Sequence, residues 1–203
     1  MVILSILLFK YEVFILDLSI DNKFQLTYNL AMKRTHNLTA CAMMVAILAV
    51  LAQISIPMPS QVPLTLQTAG IILAGLVLGP QMGALSVLVY LLLGAVGAPV
   101  FAAGRGGLGV VAGPTGGFFV GFVLAVLLIG WLLKESRTLL RSYIAVALAT
   151  LLILVCGVIY YSLWANISLW ASFIAVGLPF LPGDVIKMLV FTPLGLAVRK
   201  ALP

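Results

Sequence analysis

The feature that most constrains this chain is a series of long apolar runs cut by Gly and Pro and almost never by charge. No Asp, Glu, Lys or Arg separates Arg34 from Arg105, and none separates Arg141 from Asp184. Runs of about 20 apolar residues match the hydrocarbon core of a bilayer. Hydrophobic residues make up 64% of the 203 residues and charged residues 8%, against about 25% charged in a soluble domain. A soluble globular enzyme and a disordered chain are both excluded, and the length leaves no room for an added soluble catalytic domain.

Punctuation divides the runs into spans. The first is about 38–56, ended by Pro57 and Pro59. The stretch 66–96 is too long for one span and breaks at Gly79-Pro80, because Pro removes a helix hydrogen bond and clashes with the preceding turn. It gives spans of roughly 66–78 and 81–96. The others are about 117–133, 141–163 and 184–198. The charges support this division. With six spans the basic clusters Lys33/Arg34, Lys134/Arg137/Arg141 and Arg199/Lys200 share one side, as the positive-inside rule requires. One span over 66–96 would put the first cluster opposite the others. The expected fold is an all-α integral membrane protein of six transmembrane helices with both termini cytoplasmic. The stretches 57–65, 97–116 and 164–183 are then external, with Trp164 and Trp170 as aromatic-belt residues.

Residues 1–31 differ from the rest. They hold Lys10, Glu12, Asp17, Asp21 and Lys23, and their opening apolar run is too short to span and lacks a signal-peptide pattern. Met32 begins a basic start followed by a long apolar run. It is read as the natural start, with 1–31 an upstream extension and 32–203 the membrane domain. The competing reading of 1–31 is a peripheral amphipathic segment. The net charge of +6 reflects inner-side clusters, and no nucleic-acid partner is expected. Cys41 and Cys156 lie in apolar segments and read as core residues, not as a disulfide.

Three ionisable residues after Met32 fall outside the basic clusters: Arg105, Asp184 and Lys187. All map to the external side, and charge at membrane depth is costly and usually functional. Asp184 and Lys187, three apart, share a helix face. One reading makes Asp184 the cap of the last helix with Lys187 as its ion-pair partner. The other makes the pair a site for a ligand that is zwitterion-like or rich in amides. Arg105 lies in GRGGLG, which satisfies G-x-G-x-x-G but has no strand–turn–helix unit around it, so a dinucleotide site is rejected. It is either a stray charge in a flexible loop or a guanidinium that meets an anion alongside backbone N–H groups. No P-loop is present. Thr65, Gln67, Thr68, Tyr90 and Thr115 gather neutral polar groups on the same side; each alone reads as a bundle hydrogen bond or interfacial anchor. Small residues recur at spacing four, as Ala42/Ala46, Gly75/Gly79/Gly83 and Gly117/Gly121, a pattern that permits close helix contact.

The ordered runs VPLTLQT, LAGLVLGPQMGALSVLVYLLLGAVGAPVFA, GRGG, GPTGGFFVGF and LPGDVIK resemble the BioY family from about Met32 to Pro203. These are biotin-specific S components of energy-coupling-factor transporters. The resemblance implies a six-helix S-component fold, biotin capture at the outer face of a bacterial cytoplasmic membrane, and energy supplied by a separate T component and two ATPases. It implies no enzymatic activity and no cofactor. By the family's PGD-x-x-K segment it assigns ligand roles to Asp184 and Lys187. By its A-x-x-x-A stripe it assigns the T-component contact to Ala42 and Ala46.

Biotin's chemistry suits the polar groups. Asp184 can accept from the ureido N–H groups, Tyr90 or Lys187 can meet its carbonyl, and Arg105 with its Gly loop, or Lys187, can meet the valerate carboxylate. The ring and alkyl chain need an apolar wall. Gln67, Thr65 and Thr115 complete the candidate biotin-binding set. Two alternatives remain open: an S component for another small vitamin, and an ion-coupled carrier using Asp184, against which no internal repeat is found. An intramembrane enzyme built on His36 and Cys41 lacks a partner acid or metal set.

Overall fold

Lipid offers no hydrogen bonds to a backbone, so an apolar chain must close its own, and here it does so as helices. The computed structural model describes residues 25, 32, 34–135 and 138–201. The chain divides into two units, Met1–Thr39 and Ala40–Pro203. In the first, the described residues Gln25, Met32 and 34–39 are helical. The expectations for the rest of 1–31, and those for Lys33 and Arg137, fall outside the described residues.

Helix α1, Arg34–Gln53, ends before Pro57. The residue before a proline is steered into extended backbone. Ser55–Ile56 accordingly forms strand β1, antiparallel to β2, Leu64–Thr65, with Ser55 opposite Thr65. This small hairpin is an addition to the all-α expectation.

Helix α2, Gln67–Leu73, continues into a π-helical turn, Ala74–Leu78, and is followed by α3, Gly79–Ala95. By hydropathy this is one 29-residue stretch. The backbone nevertheless doubles back at Gly79, where φ is +77° and ψ −171°, a conformation that glycine alone takes readily. A Cβ on Gly83 would lie 2.7 Å from the carbonyl oxygen of Ala74. Nine residues of straight helix would separate the two by about 13 Å. The Gln67 and Tyr90 side chains also meet, which an unbroken helix would forbid.

Residues 101–115 carry a 3-10 turn at Ala102–Gly104 and a short helix α4, Leu108–Val111. Helix α5 is Gly116–Leu132, and α6 is Leu139–Ala165. The hydroxyl of Thr138 caps α6, and Asn166 ends it in left-handed backbone. Gly117 and Gly121 let α5 press on α6: a Cβ at Gly117 would sit 2.5 Å from the Cys156 carbonyl oxygen. Helix α7, Leu169–Ser172, runs through a second π turn, Phe173–Gly177, toward α8, Phe180–Ala201.

Helix α8 starts four residues before the expected 184. Pro182 is tolerated because the N–H groups of a first turn have no intrahelical partner. Asp184 is therefore inside the helix, and the capping reading does not hold. Further along, Pro193 leaves the carbonyl of Leu189 without its helical donor, and the Tyr143 hydroxyl of α6 donates to it at 3.3 Å. Arg199 of α8 donates to the carbonyl of Val77 at 2.8 Å, supplying a cation where the α2 column ends.

The stretches Arg34–Gln53, Gln67–Ala95, Leu139–Ala165 and Phe180–Ala201 are long and apolar enough to cross a membrane, and α5 is a shorter apolar helix. This is a multi-pass membrane protein. The α2 column is buried almost throughout, with Ile71, Ile72 and Leu76 fully enclosed. Leu92, Leu151, Leu163 and Val185 face outward, as side chains in contact with lipid do.

Candidate functional site

At the start of α2, Thr65 and Gln67 organise each other. The Thr65 hydroxyl accepts from the Gln67 backbone N–H and donates to the Gln67 side-chain oxygen at 3.1 Å. The Gln67 amide then donates to the Tyr90 hydroxyl, which donates to the Val100 carbonyl at 3.1 Å. Four residues from β2, α2, α3 and the following loop thus form one buried chain of hydrogen bonds. A buried polar group left unpaired is costly, and this chain leaves none of its side chains unmatched.

The loop is anchored at Phe101. Its ring stacks on Phe119 at 4.8 Å and meets Tyr90 edge-on at 5.6 Å. The room for it comes from Gly94, where a Cβ would fall 2.1 Å from the ring. Phe101 N–H donates to the Arg105 carbonyl at 2.9 Å, with Ala103 and Gly104 both in left-handed backbone between them. Arg105 is exposed, and its Nε donates to the Ala102 carbonyl at 3.2 Å. Thr115 holds the far end of the loop through the Val110 carbonyl at 2.9 Å.

On α8, Asp184 and Lys187 are 7% and 5% exposed, and the ammonium lies 2.7 Å from the carboxylate. Burying this pair costs desolvation that only close geometry offsets.

These groups surround one cavity, about 560 Å³ when the open space at its mouth is counted. Thr65, Gln67, Thr115, Arg105 and Asp184 line it. Tyr90 and Lys187 stand behind the lining. Tyr90 is fully buried with its hydroxyl committed to Gln67 and Val100, and Lys187 reaches the cavity through Asp184. Sequence reasoning left unnamed the apolar wall of Phe101, Phe118, Phe119, Phe122, Ile153 and Phe180. Its signal was the FFVGF run after GPTGG, which in so apolar a chain looks like any other span. Thr68, grouped with Thr65 and Gln67 by the sequence but left out of the candidate biotin-binding set, also lines the cavity.

The three stretches expected on one side, 57–65, 97–116 and 164–183, each reach this cavity or the residues next to it. Ala42 and Ala46 are instead on the exposed face of α1, away from the lining. No group of three His, Cys, Asp or Glu residues suited to a metal occurs among the described residues.

Comparison with known proteins meets this geometry. The family model described as the BioY family matches residues 22–203, taking in 22–31 ahead of the expected start of the resemblance. The chain belongs to the BioY family. The "Biotin transporter BioY" of Rhodobacter capsulatus is 38% identical over 168 residues, covering 76% of this chain and 88% of that protein. That of Thermotoga maritima is 41% identical over 157 residues, covering 76% and 90%. A crystal structure of the S-component for biotin from an ECF-type ABC transporter is similar with a TM-score of 0.77 and 34% identity, covering 83% of this chain and 93% of that one. Membership in the BioY family makes the chain a transporter component and not an enzyme.

Proposed function

We propose that this chain captures biotin at the outer face of a bacterial cytoplasmic membrane. It does so as the S component of an energy-coupling-factor transporter, with a separate T component and two ATPases supplying energy. The observation that carries this reading is the cavity, which joins a buried carboxylate, neutral hydrogen-bonding groups and an exposed guanidinium to an aromatic wall. Biotin has the complementary parts. Its ureido N–H groups suit Asp184, and its ureido carbonyl suits the amide of Gln67 or the hydroxyl of Thr68. Its carboxylate suits Arg105 at the mouth. The thiophane ring and alkyl chain suit Phe118, Phe119 and Phe122. Tyr90 and Lys187 fix the groups that touch the ligand.

Six spans with both termini cytoplasmic fit this reading. The reversal at Gly79 supports counting α2 and α3 separately. The Arg199–Val77 contact puts a basic residue of α8 at the end of the α2 column, in keeping with one basic side. The exposed Ala42/Ala46 stripe suits docking of the T component.

Calorimetry of the purified protein with biotin, beside Asp184→Asn, tests the reading. One-to-one binding that the variant loses supports both ligand and site. A folded wild type that ignores biotin but binds thiamine or riboflavin would overturn the ligand. Uptake that follows a proton gradient without any ATPase would overturn the transporter class. Arg105→Ala is expected to weaken biotin strongly and biotin amide little; equal losses would sink the carboxylate assignment.

A further inference from the structure

Gln53 is the last residue of α1, and its side-chain amide is occupied on both sides. Its oxygen accepts from the Gly104 N–H at 2.9 Å, and its nitrogen donates to the Phe101 carbonyl at 3.2 Å. The same nitrogen also donates to the Ala49 carbonyl at 3.1 Å, one turn back on its own helix. The two loop contacts bracket Ala102 and Ala103. They pair with the turn as a neighbouring peptide unit would, through one donor and one acceptor.

That turn sets the position of Arg105. Phe101 is fixed by its ring, and the Phe101–Arg105 bridge closes the turn. Between them Ala103 adopts φ +57°, a strained backbone for a residue with a Cβ that persists only where surroundings enforce it. The amide of Gln53 is the enforcing contact from outside the loop.

We infer that Gln53 is a positioning residue for ligand capture: it ties α1 to the 101–105 turn and so aims the Arg105 guanidinium at the cavity mouth. This rests on the reading of Arg105 as the group that meets biotin's carboxylate. Without Gln53, two backbone groups of the turn lose their partners to water and the turn relaxes away from left-handed backbone at Ala103. Arg105 then samples orientations that do not face the ligand.

The test is release of radiolabelled biotin, and of labelled biotin amide, from purified wild type, Gln53→Ala and Gln53→Glu. Loss of hydrogen bonds of this kind predicts dissociation of biotin about tenfold faster from Gln53→Ala. Biotin amide, lacking the carboxylate, should leave wild type and variant at nearly the same rate. Gln53→Glu keeps the acceptor for Gly104 and loses the donor to Phe101, so it should fall between the two. It also serves as the readout if Gln53→Ala does not fold. Unchanged biotin release from both variants overturns the inference. So does equal acceleration for biotin and biotin amide, which would make Gln53 a packing residue. A wild type that binds no biotin overturns instead the functional reading beneath it.

Discussion

Asp184 and Lys187 put opposite charges 2.7 Å apart where water is nearly absent. Removing one partner strands the other, so Lys187→Met or Asp184→Asn should lower unfolding stability by about 3–5 kcal/mol. The double variant should recover much of that loss in thermal unfolding and still fail to bind biotin. Recovery of binding in the double variant would show that the pair serves only the fold. Legibility at this scale followed rarity. In a chain with so few charges Arg105, Asp184 and Lys187 announce themselves, and the cavity takes in the first two directly. Tyr90 looked like a ligand group and instead supports Gln67, a distinction that depends on which way a hydroxyl points. Gln53 was missed because a single amide at a helix end reads as surface.

Two helix pairs carry testable seams. Pro193 frees a carbonyl on α8 that Tyr143 of α6 takes up, so Tyr143→Phe should cost about 1 kcal/mol in chemical unfolding. No loss would mean that the freed carbonyl finds another donor. The α2–α3 reversal is tighter. A Cβ at Gly83 would press on the Ala74 carbonyl at 2.7 Å, and one at Gly130 would fall 2.3 Å from the backbone nitrogen of Pro80. Gly83→Ala and Gly130→Ala should each destabilise by about 1–3 kcal/mol, seen as a lower thermal midpoint in detergent. The break itself was readable, because Gly-Pro inside an apolar run has few other meanings. The early start of α8 was not, since Pro182 is equally at home just before a helix or within its first turn. Nor was the aromatic wall: Phe118, Phe119 and Phe122 sit in a helix apolar all round, where periodicity has no polar face to measure against.

The proposed six-span arrangement makes a prediction for the whole molecule. With Cys41 and Cys156 replaced by Ala, a cysteine at the exposed Ser168 should react with a membrane-impermeant thiol reagent added to intact cells, and one at the exposed Glu135 should not. Labelling at Glu135 alone would invert the orientation. Ala46→Trp should leave biotin binding intact and reduce uptake, because the bulk falls on the exposed alanine stripe and not on the cavity. A further consequence lies in the length of the α2 column. From Gln67 to Leu78 it has 12 residues and rises about 18 Å, well short of the roughly 30 Å of hydrocarbon around it. The cavity opens at the start of this short column, so in the proposed reading the ligand rests below the outer membrane surface on a solid floor. That floor, with Ile71, Ile72 and Leu76 packed on every side, continues to Val77 and the Arg199 that closes it. For the proposed uptake, a well with such a bottom offers no drain to open beneath it, and the route it leaves for cargo taken from outside is a turn of the vessel itself.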